Sequence, residues 1–266
     1  MSRWGTLDPM TACITGATAG IGMAFAEELA DQGSDLVVVA RDTARLEALA
    51  ERLGSQHGVT VEVLAADLAT DAGCARVMDR LADAARPIDV LVNNAGFGVN
   101  QDFVAGSLAD EERLLDVLVR ATLRLTHAAL PGMVQRGRGN VINVSSVAGW
   151  VPMGTYAAAK SWVTVFTEGL GADLAGTGVT ATAVCPGFTH TEFHERADMD
   201  VALIPEWAWL DARRVARDGL RDARSGRAVS VPSTRYGSLA LVTQYTPRPL
   251  LRWASTRVSQ ARPGRR

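Results

Sequence analysis

The chain carries 27 basic side chains, and one of them is lysine. Arginine serves at the other 26 positions, so the exception marks a place where a planar fork cannot replace a compact ammonium on a flexible stem. Tyrosine is also scarce, with three in 266 residues. The three cysteines, Cys13, Cys74 and Cys185, are odd in number and far apart, which excludes a paired disulfide framework and shows no metal-ligand spacing. They suit a reducing compartment. No stretch approaches the ~18 apolar residues of a membrane span. Met1 to Pro9 holds an acid and no apolar run of the kind a secretory leader needs. The expectation is a cytoplasmic protein, or at most one peripheral to a membrane. Internal repeats and low-complexity linkers are absent, and a 47% apolar composition is enough for one large core, so residues 1–266 are expected to form one domain.

The one lysine is Lys160, four residues after Tyr156. The segment Tyr156 to Leu174 reads as a helix, with Val163, Phe166 and Leu170 as apolar positions at helical spacing. Residues four apart on a helix meet on one face. An ammonium beside a phenol favours the phenolate and is expected to pull the tyrosine below its usual value of about 10. That would make an acid usable near neutral pH. The pair alone is equally compatible with a buried tyrosine and a surface lysine one turn on.

Short β-branched runs alternate with alanine- and leucine-rich helical stretches, the pattern of βαβ units around a parallel sheet. Candidate strands are Ala12 to Thr15, Leu36 to Ala40, Val59 to Leu64, Asp89 to Val92, Asn140 to Val144, Val179 to Val184 and Ala228 to Val231. They look covered on both faces, as parallel strands are. The longest irregular stretch, 187–206, follows the sixth strand and should lie over the carboxyl end of the sheet, where such folds bind ligands. The first strand runs into Gly16-Ala17-Thr18-Ala19-Gly20-Ile21-Gly22 and then a helix from Met23 to Gln32. Glycines there permit a tight turn and close approach to a pyrophosphate at a helix N-terminus.

Thr15-Gly-x-x-x-Gly-Ile-Gly22, Asn93-Asn-Ala-Gly96, Ser145-Ser146, Tyr156-x-x-x-Lys160 and Pro186-Gly187, in this order, resemble the short-chain dehydrogenase/reductases. The resemblance implies an α/β fold with a doubly wound, Rossmann-type, seven-stranded parallel sheet and helices on both faces. It also implies a nicotinamide cofactor, a small-molecule or acyl-chain carbonyl substrate, and a homodimer or homotetramer. By the same resemblance, Tyr156 is the general acid in reduction and the base in oxidation. Lys160 holds the nicotinamide ribose, and Ser146 bonds the carbonyl oxygen as charge develops. Asn94, Ala95 and Gly96 run beside the adenosine-side ribose, Asp67 and Leu68 flank the adenine, and Pro186 and Gly187 lead to Thr189, whose backbone meets the carboxamide. Thr191 supports that contact.

Two positions depart from the family pattern. Ser146 stands ten residues before Tyr156, nearer than usual, which implies a shorter loop after the strand. Ser145 is the weaker candidate, because strand alternation turns the two serines apart. The second departure is Leu118, at the position where the family usually carries an asparagine that holds a water behind the lysine. Leucine cannot hold water, so the proton relay is in doubt.

At the end of the second strand the position usually acidic in NAD-dependent relatives is Ala40, and Arg41 follows it. An arginine there accommodates a 2′-phosphate, so the expected cofactor is NADP(H). The competing reading pairs Arg41 with Asp42 or a helix carboxylate on the surface. Arg45, one turn on, either reinforces the phosphate site or is solvated. His190 and His194 stand beside Glu192 and Glu195, but no convincing third ligand accompanies them, and no metal is expected. Trp150, Met153, Phe97, Phe193 and Trp207 lie near the motifs and lean toward an apolar substrate pocket, though each is equally a core residue.

The net charge of −2 conceals an uneven tail: 223–266 holds nine arginines and no acid. With its leucines and Trp253 it suits a peripheral membrane contact, an acidic acyl carrier or coenzyme A phosphates. A C-terminal helix completing the core or a subunit interface is the preferred alternative, and nucleic acid is not expected, since no binding motif accompanies the charge. The expected function is NADPH-dependent reduction of a carbonyl, on a lipid or 3-oxoacyl substrate. The alternative is a catalytically weak NADP(H)-binding sensor or scaffold.

Overall fold

The β-branched runs become seven parallel strands in the computed structural model, which describes residues 10–193, 197 and 204–253, with the side chains at 239–241 and 244 left aside. The strands are β1 (Thr11–Thr15), β2 (Asp35–Ala40), β3 (Val61–Ala65), β4 (Val90–Asn93), β5 (Gly139–Val144), β6 (Val179–Val184) and β7 (Val229–Ser230). Helices α1 (Gly20–Asp31), α2 (Thr43–His57), α3 (Asp71–Ala82), α4 (Leu108–Leu115), α5 (Thr122–Arg136), α6 (Gly154–Asp173), α7 (Ala212–Arg224) and α8 (Thr234–Tyr245) connect or follow them. The order across the sheet is β3-β2-β1-β4-β5-β6-β7, so the winding reverses between β1 and β4.

Alternation along each strand builds the two sides of the core. Ile14, Val38, Val92 and Ile142 meet α1, α2 and α7, where Phe25 and Leu29 are wholly buried. Cys13, Val37, Val39, Leu91 and Val141 face the opposite way and meet α3 and α5. Coverage is thinner at β3, one of the two edge strands: Val61, Val63 and Ala65 pack against one core cluster and Leu64 against the other, but all five residues remain partly exposed.

Below the carboxyl ends of the central strands lies a buried polar seam. The Asn93 amide donates to Thr126 Oγ1 at 3.1 Å and to Asn143 Oδ1 at 2.9 Å. Asn143 in turn donates to Thr167 Oγ1 at 2.9 Å, and Thr167 to the Val163 carbonyl at 2.6 Å. The seam joins α5, β4, β5 and α6 in one row and sets the register of the strands and helix that carry Asn94, Ser146 and Tyr156.

The first part of the tail folds as the packing alternative requires. Ser233 caps α8 by accepting from the Tyr236 amide, and Tyr236 packs against the first core cluster. Farther along, Val242 is 63% and Tyr245 82% exposed. The final basic segment, 257–266, lies outside the described residues.

Asn143→Ala should cost about 1–3 kcal/mol, because it strands an Asn93 N–H in a buried seam and removes the donor to Thr167 Oγ1. Denaturant midpoints of the two proteins check this.

Candidate active site

Of the helices that wind the sheet, α2, α3, α4, α7 and α8 each begin with a side chain that accepts a hydrogen bond from their first-turn amides. α1, like α6 and the α5 that continues from a π-helical turn, does not: its cap, Ala19, offers none. Its opening N–H groups and dipole are therefore presented to an anion. The turn before it is built tightly. Gly16 and Gly20 adopt left-handed backbone at φ 67° and 54°. A Cβ on Gly22 would stand 2.3 Å from both the Gly16 carbonyl oxygen and Asn94 Nδ2. Asn94 itself is a brace, donating to the Thr15 carbonyl at 3.0 Å and the Gly16 carbonyl at 3.3 Å. The Thr15 hydroxyl accepts from both the Asn94 and Ala95 amides at 3.0 Å. Such a cradle fits a dinucleotide pyrophosphate. Ala17, Thr18 and Ile21 complete the turn.

Beside it, the Asp67 carboxylate accepts from the Ala69 amide and pairs with Arg113 at 2.8 Å. Burial pushes Asp67 up, but these bonds and the charges of Arg113 and Arg41 outweigh it and hold the carboxyl below its ordinary range. Asp67 is thus committed to a structural pair as well as to the wall expected for an adenine, with Leu68 buried behind it. Arg41 is exposed where β2 ends, close enough for its charge to be felt at Asp67. Arg45 pairs with Asp42 at 3.6 Å and with Glu192 at 3.4 Å.

At the carboxyl end of β5 the two serines point opposite ways, as alternation requires. Ser145 is buried and donates to the Lys160 carbonyl at 2.7 Å, so it belongs to the β5–α6 contact. The Ser146 hydroxyl accepts from the Ala148 amide at 3.1 Å and lies near enough to the Tyr156 hydroxyl to act on its pKa, in the lowering direction. Lys160 is 6% exposed, with its ammonium donating to the Val144 carbonyl at 2.7 Å and lying 5.8 Å from the centroid of the Tyr156 ring.

The expected lowering of the Tyr156 pKa is corrected here. Burial drives the phenol up to about 12, and the bond from Ser146 offsets only part of that. The same burial lowers Lys160 to about 8, with the Cys185 thiol opposing it. Desolvation wins over the attraction that four-residue spacing implies, because the ammonium is spent on a carbonyl and itself lacks solvent.

Leu118 is buried in a single π-helical turn, Asp116–Ala121, between α4 and α5. It packs with Leu114, Val117 and Ala159 and with partly buried Tyr156, Ala95, Phe97 and Val99. A methyl of Leu118 stands 3.5 Å from where a Cβ on Gly96 would be.

Beyond β6, Pro186 and Gly187 lead to Thr189, which is 3% exposed and bridges to Leu210. The residues that follow reach across the cleft. Thr191 leaves no room for a Cβ on Gly20, Glu192 meets Arg45, and the Phe193 ring lies 5.7 Å from that of Tyr156, centroid to centroid. His190 stacks on Trp209 at 4.6 Å and bonds Glu206 at 3.0 Å. His194 and Glu195 are outside the described residues, among which no group of three or more metal-ligating side chains occurs. Trp207 is 67% exposed, away from the core role its composition allowed.

A family model described as short chain dehydrogenase matches residues 10–201, most of the chain, which therefore belongs to that family of oxidoreductases. Sulfoacetaldehyde reductase 2 of Chromohalobacter salexigens is 40% identical over 185 residues, 68% of this chain and 73% of that protein. The 3-oxoacyl-[acyl-carrier-protein] reductase FabG of Aquifex aeolicus is 33% identical over 182 residues, 67% of this chain and 73% of that protein. A short-chain dehydrogenase from Sphingobium yanoikuyae, solved in complex with NADPH, is 36% identical with a TM-score of 0.81, covering 97% of this chain and 98% of that one.

The Lys160 shift sets a pH window. The folded value, about 8, lies below the ordinary 10.5, so between them the unfolded chain binds the proton that the folded chain has released. Stability contributed by this group therefore rises with pH across that interval. Lys160→Met should lose the rise. Thermal melts of both proteins at pH 8 and pH 10 measure the difference.

Proposed function

We propose that this chain is an NADPH-dependent reductase that converts an apolar carbonyl into an alcohol, with Ser146, Tyr156 and Lys160 at the reacting end. The observation that carries the reading is the gathering at the carboxyl end of β5 of Ser146, Tyr156 and the sole lysine, whose ammonium lies 5.8 Å from the tyrosine ring and bonds the Val144 carbonyl. When bound, the nicotinamide supplies a hydride to the carbonyl carbon. Tyr156 gives its proton to the oxygen, and Ser146 donates to the same oxygen as negative charge builds there. A phenol held near 12 stays protonated throughout the physiological range, which suits the reductive direction. Lys160, released from Val144, would turn to the nicotinamide ribose and bring its charge toward the phenolate that proton donation leaves behind.

Several features support NADPH over NADH. Ala40 offers no carboxylate to a ribose 2′-hydroxyl, and the Arg41 charge stands at the strand end. The NADPH complex of the Sphingobium relative points the same way. Phe193, Phe97, Val99 and Leu118 gather around Tyr156, which favours a greasy carbonyl such as a long-chain 3-oxoacyl group or a bulky ketone. Leu118 favours the second reading, a feeble NADP(H)-binding sensor, because nothing at that position holds a water for the relay.

The C-terminal segment supports a contact with an anionic lipid surface. Tyr245, Leu250 and Trp253 are 82%, 57% and 58% exposed in a stretch whose charged residues are arginines. Flotation with anionic vesicles at low salt should carry the full chain up and release it as salt is raised.

NADPH oxidation over a panel of ketones and 3-oxoacyl thioesters tests the main reading, and turnover of none would leave the sensor. On an identified substrate, Tyr156→Phe should lower kcat by ~10²–10⁴ while NADPH affinity holds. Ser146→Ala should lose turnover, whereas Ser145→Ala should lose stability instead. Arg41→Ala should weaken NADPH roughly ten- to hundredfold and NADH little, as removal of a charge-assisted phosphate contact predicts. Equal losses in a direct titration would remove Arg41 from the phosphate site.

A further inference from the structure

The stretch that crosses the cleft hangs from a narrow neck. On one side is Phe188–His190 and on the other Ala208–Leu210, joined by Leu210 N–H to the Phe188 carbonyl at 2.8 Å and His190 N–H to the Leu210 carbonyl at 3.0 Å. The residues just beyond these two hydrogen bonds touch Gly20, Arg45 and Tyr156. A third element grips both sides at once. Tyr236, in the first turn of α8, accepts from the Phe188 amide at 3.2 Å and donates to the Ala208 carbonyl at 2.7 Å. Its ring lies flat over Gly187: a Cβ there would stand 2.1 Å from Tyr236 Cζ. The neighbouring Arg235 adds a bond to the Trp207 carbonyl at 3.0 Å, and α8 also packs on Val147–Trp150, the turn that Ser146 opens.

We infer that Tyr236 is a positioning residue for the reacting end of the cleft: its phenol pins the two sides of the loop neck together and thereby sets where Thr189, Thr191 and Phe193 stand. The inference rests on the reductase reading for what those residues position, but not for the latch itself. The geometry is economical. One hydroxyl bonds both a donor and an acceptor that lie twenty positions apart in the chain, so its loss removes both bonds together. The glycine requirement has the same origin, since Gly187 has an ordinary backbone conformation and its missing side chain is explained by the ring above it.

Two substitutions separate the latch from general stability. Tyr236→Phe keeps the ring over Gly187 and removes both bonds. Gly187→Ala keeps the hydroxyl but displaces the ring. Tyr245→Phe, at an 82% exposed tyrosine on the same helix, is the control. Amide hydrogen exchange of the cofactor-free proteins should show His190 and Leu210 opening on the order of tenfold more readily in both variants, with β4 and β5 unchanged. NADPH titration should show weaker binding, and on an active substrate KM should rise several-fold while kcat changes less. Neck amides protected as in the parent would overturn the latch. Neck amides deprotected with NADPH affinity and KM both at parent values would overturn the positioning role. Exchange and titration need no turnover, so a parent that reduces no carbonyl would sink the reductase reading while these two measurements still decided the latch.

Discussion

The Thr15 hydroxyl holds together the two halves of the molecule. A parallel sheet that reverses its winding opens a crevice between the strands where the reversal occurs, here β1 and β4, and something must close the backbone there. Thr15 donates to the Val92 carbonyl and accepts from the amides of Asn94 and Ala95, while the Asn94 side chain returns to the carbonyls of Thr15 and Gly16. The glycine turn is thereby fastened to the end of β4 before any ligand arrives. Gly16 and Gly22 are glycine because this lacing leaves no volume for a Cβ, quite apart from what a pyrophosphate needs.

The same economy governs the other side of the crevice. Asn93, Asn143 and Thr167 stack one hydrogen bond upon another, and the strand ends they align carry Asn94 and the two serines. A polar seam in an apolar core is costly unless its groups are paired, and most here are; the side-chain oxygen Oδ1 of Asn93 is the exception, buried with no partner among the described atoms. Its contribution to function is alignment: a half-turn slip in α6 would separate Tyr156 from Ser146.

Most of the fold was legible in the residues because its signals are local. Seven β-branched runs became seven strands with ends shifted by a residue or two, the scatter expected of element boundaries. The opposed directions of Ser145 and Ser146 followed from strand alternation. Three features were illegible, each for a physical reason. The direction of the Tyr156 shift depends on how much solvent the fold removes, which spacing does not encode. Arg45 met Glu192 from 147 residues away, and Tyr236 met Phe188 from 48, contacts that no periodicity announces. The π-helical turn at Leu118 adds one residue to a helix whose apolar pattern reads continuously through it.

The solitary lysine can now be explained by burial rather than by reach. At 6% exposure an arginine would remain charged, since its guanidinium does not give up its proton in proteins, and five donors would need acceptors where the fold supplies Val144 and little else. Lysine meets the same pocket with three donors on a rotatable head and can lose its charge, which the depressed value of about 8 describes. A cation whose charge is so lightly held can be turned from a backbone carbonyl toward an incoming ribose without the protein surrendering a fixed ion pair. With Leu118 packed among apolar side chains beside Tyr156, such a swing would, in the proposed reaction, give the tyrosine a polar connection toward the cofactor. The chain spends arginine everywhere a permanent charge is wanted, and keeps lysine for the place where the charge must be negotiable.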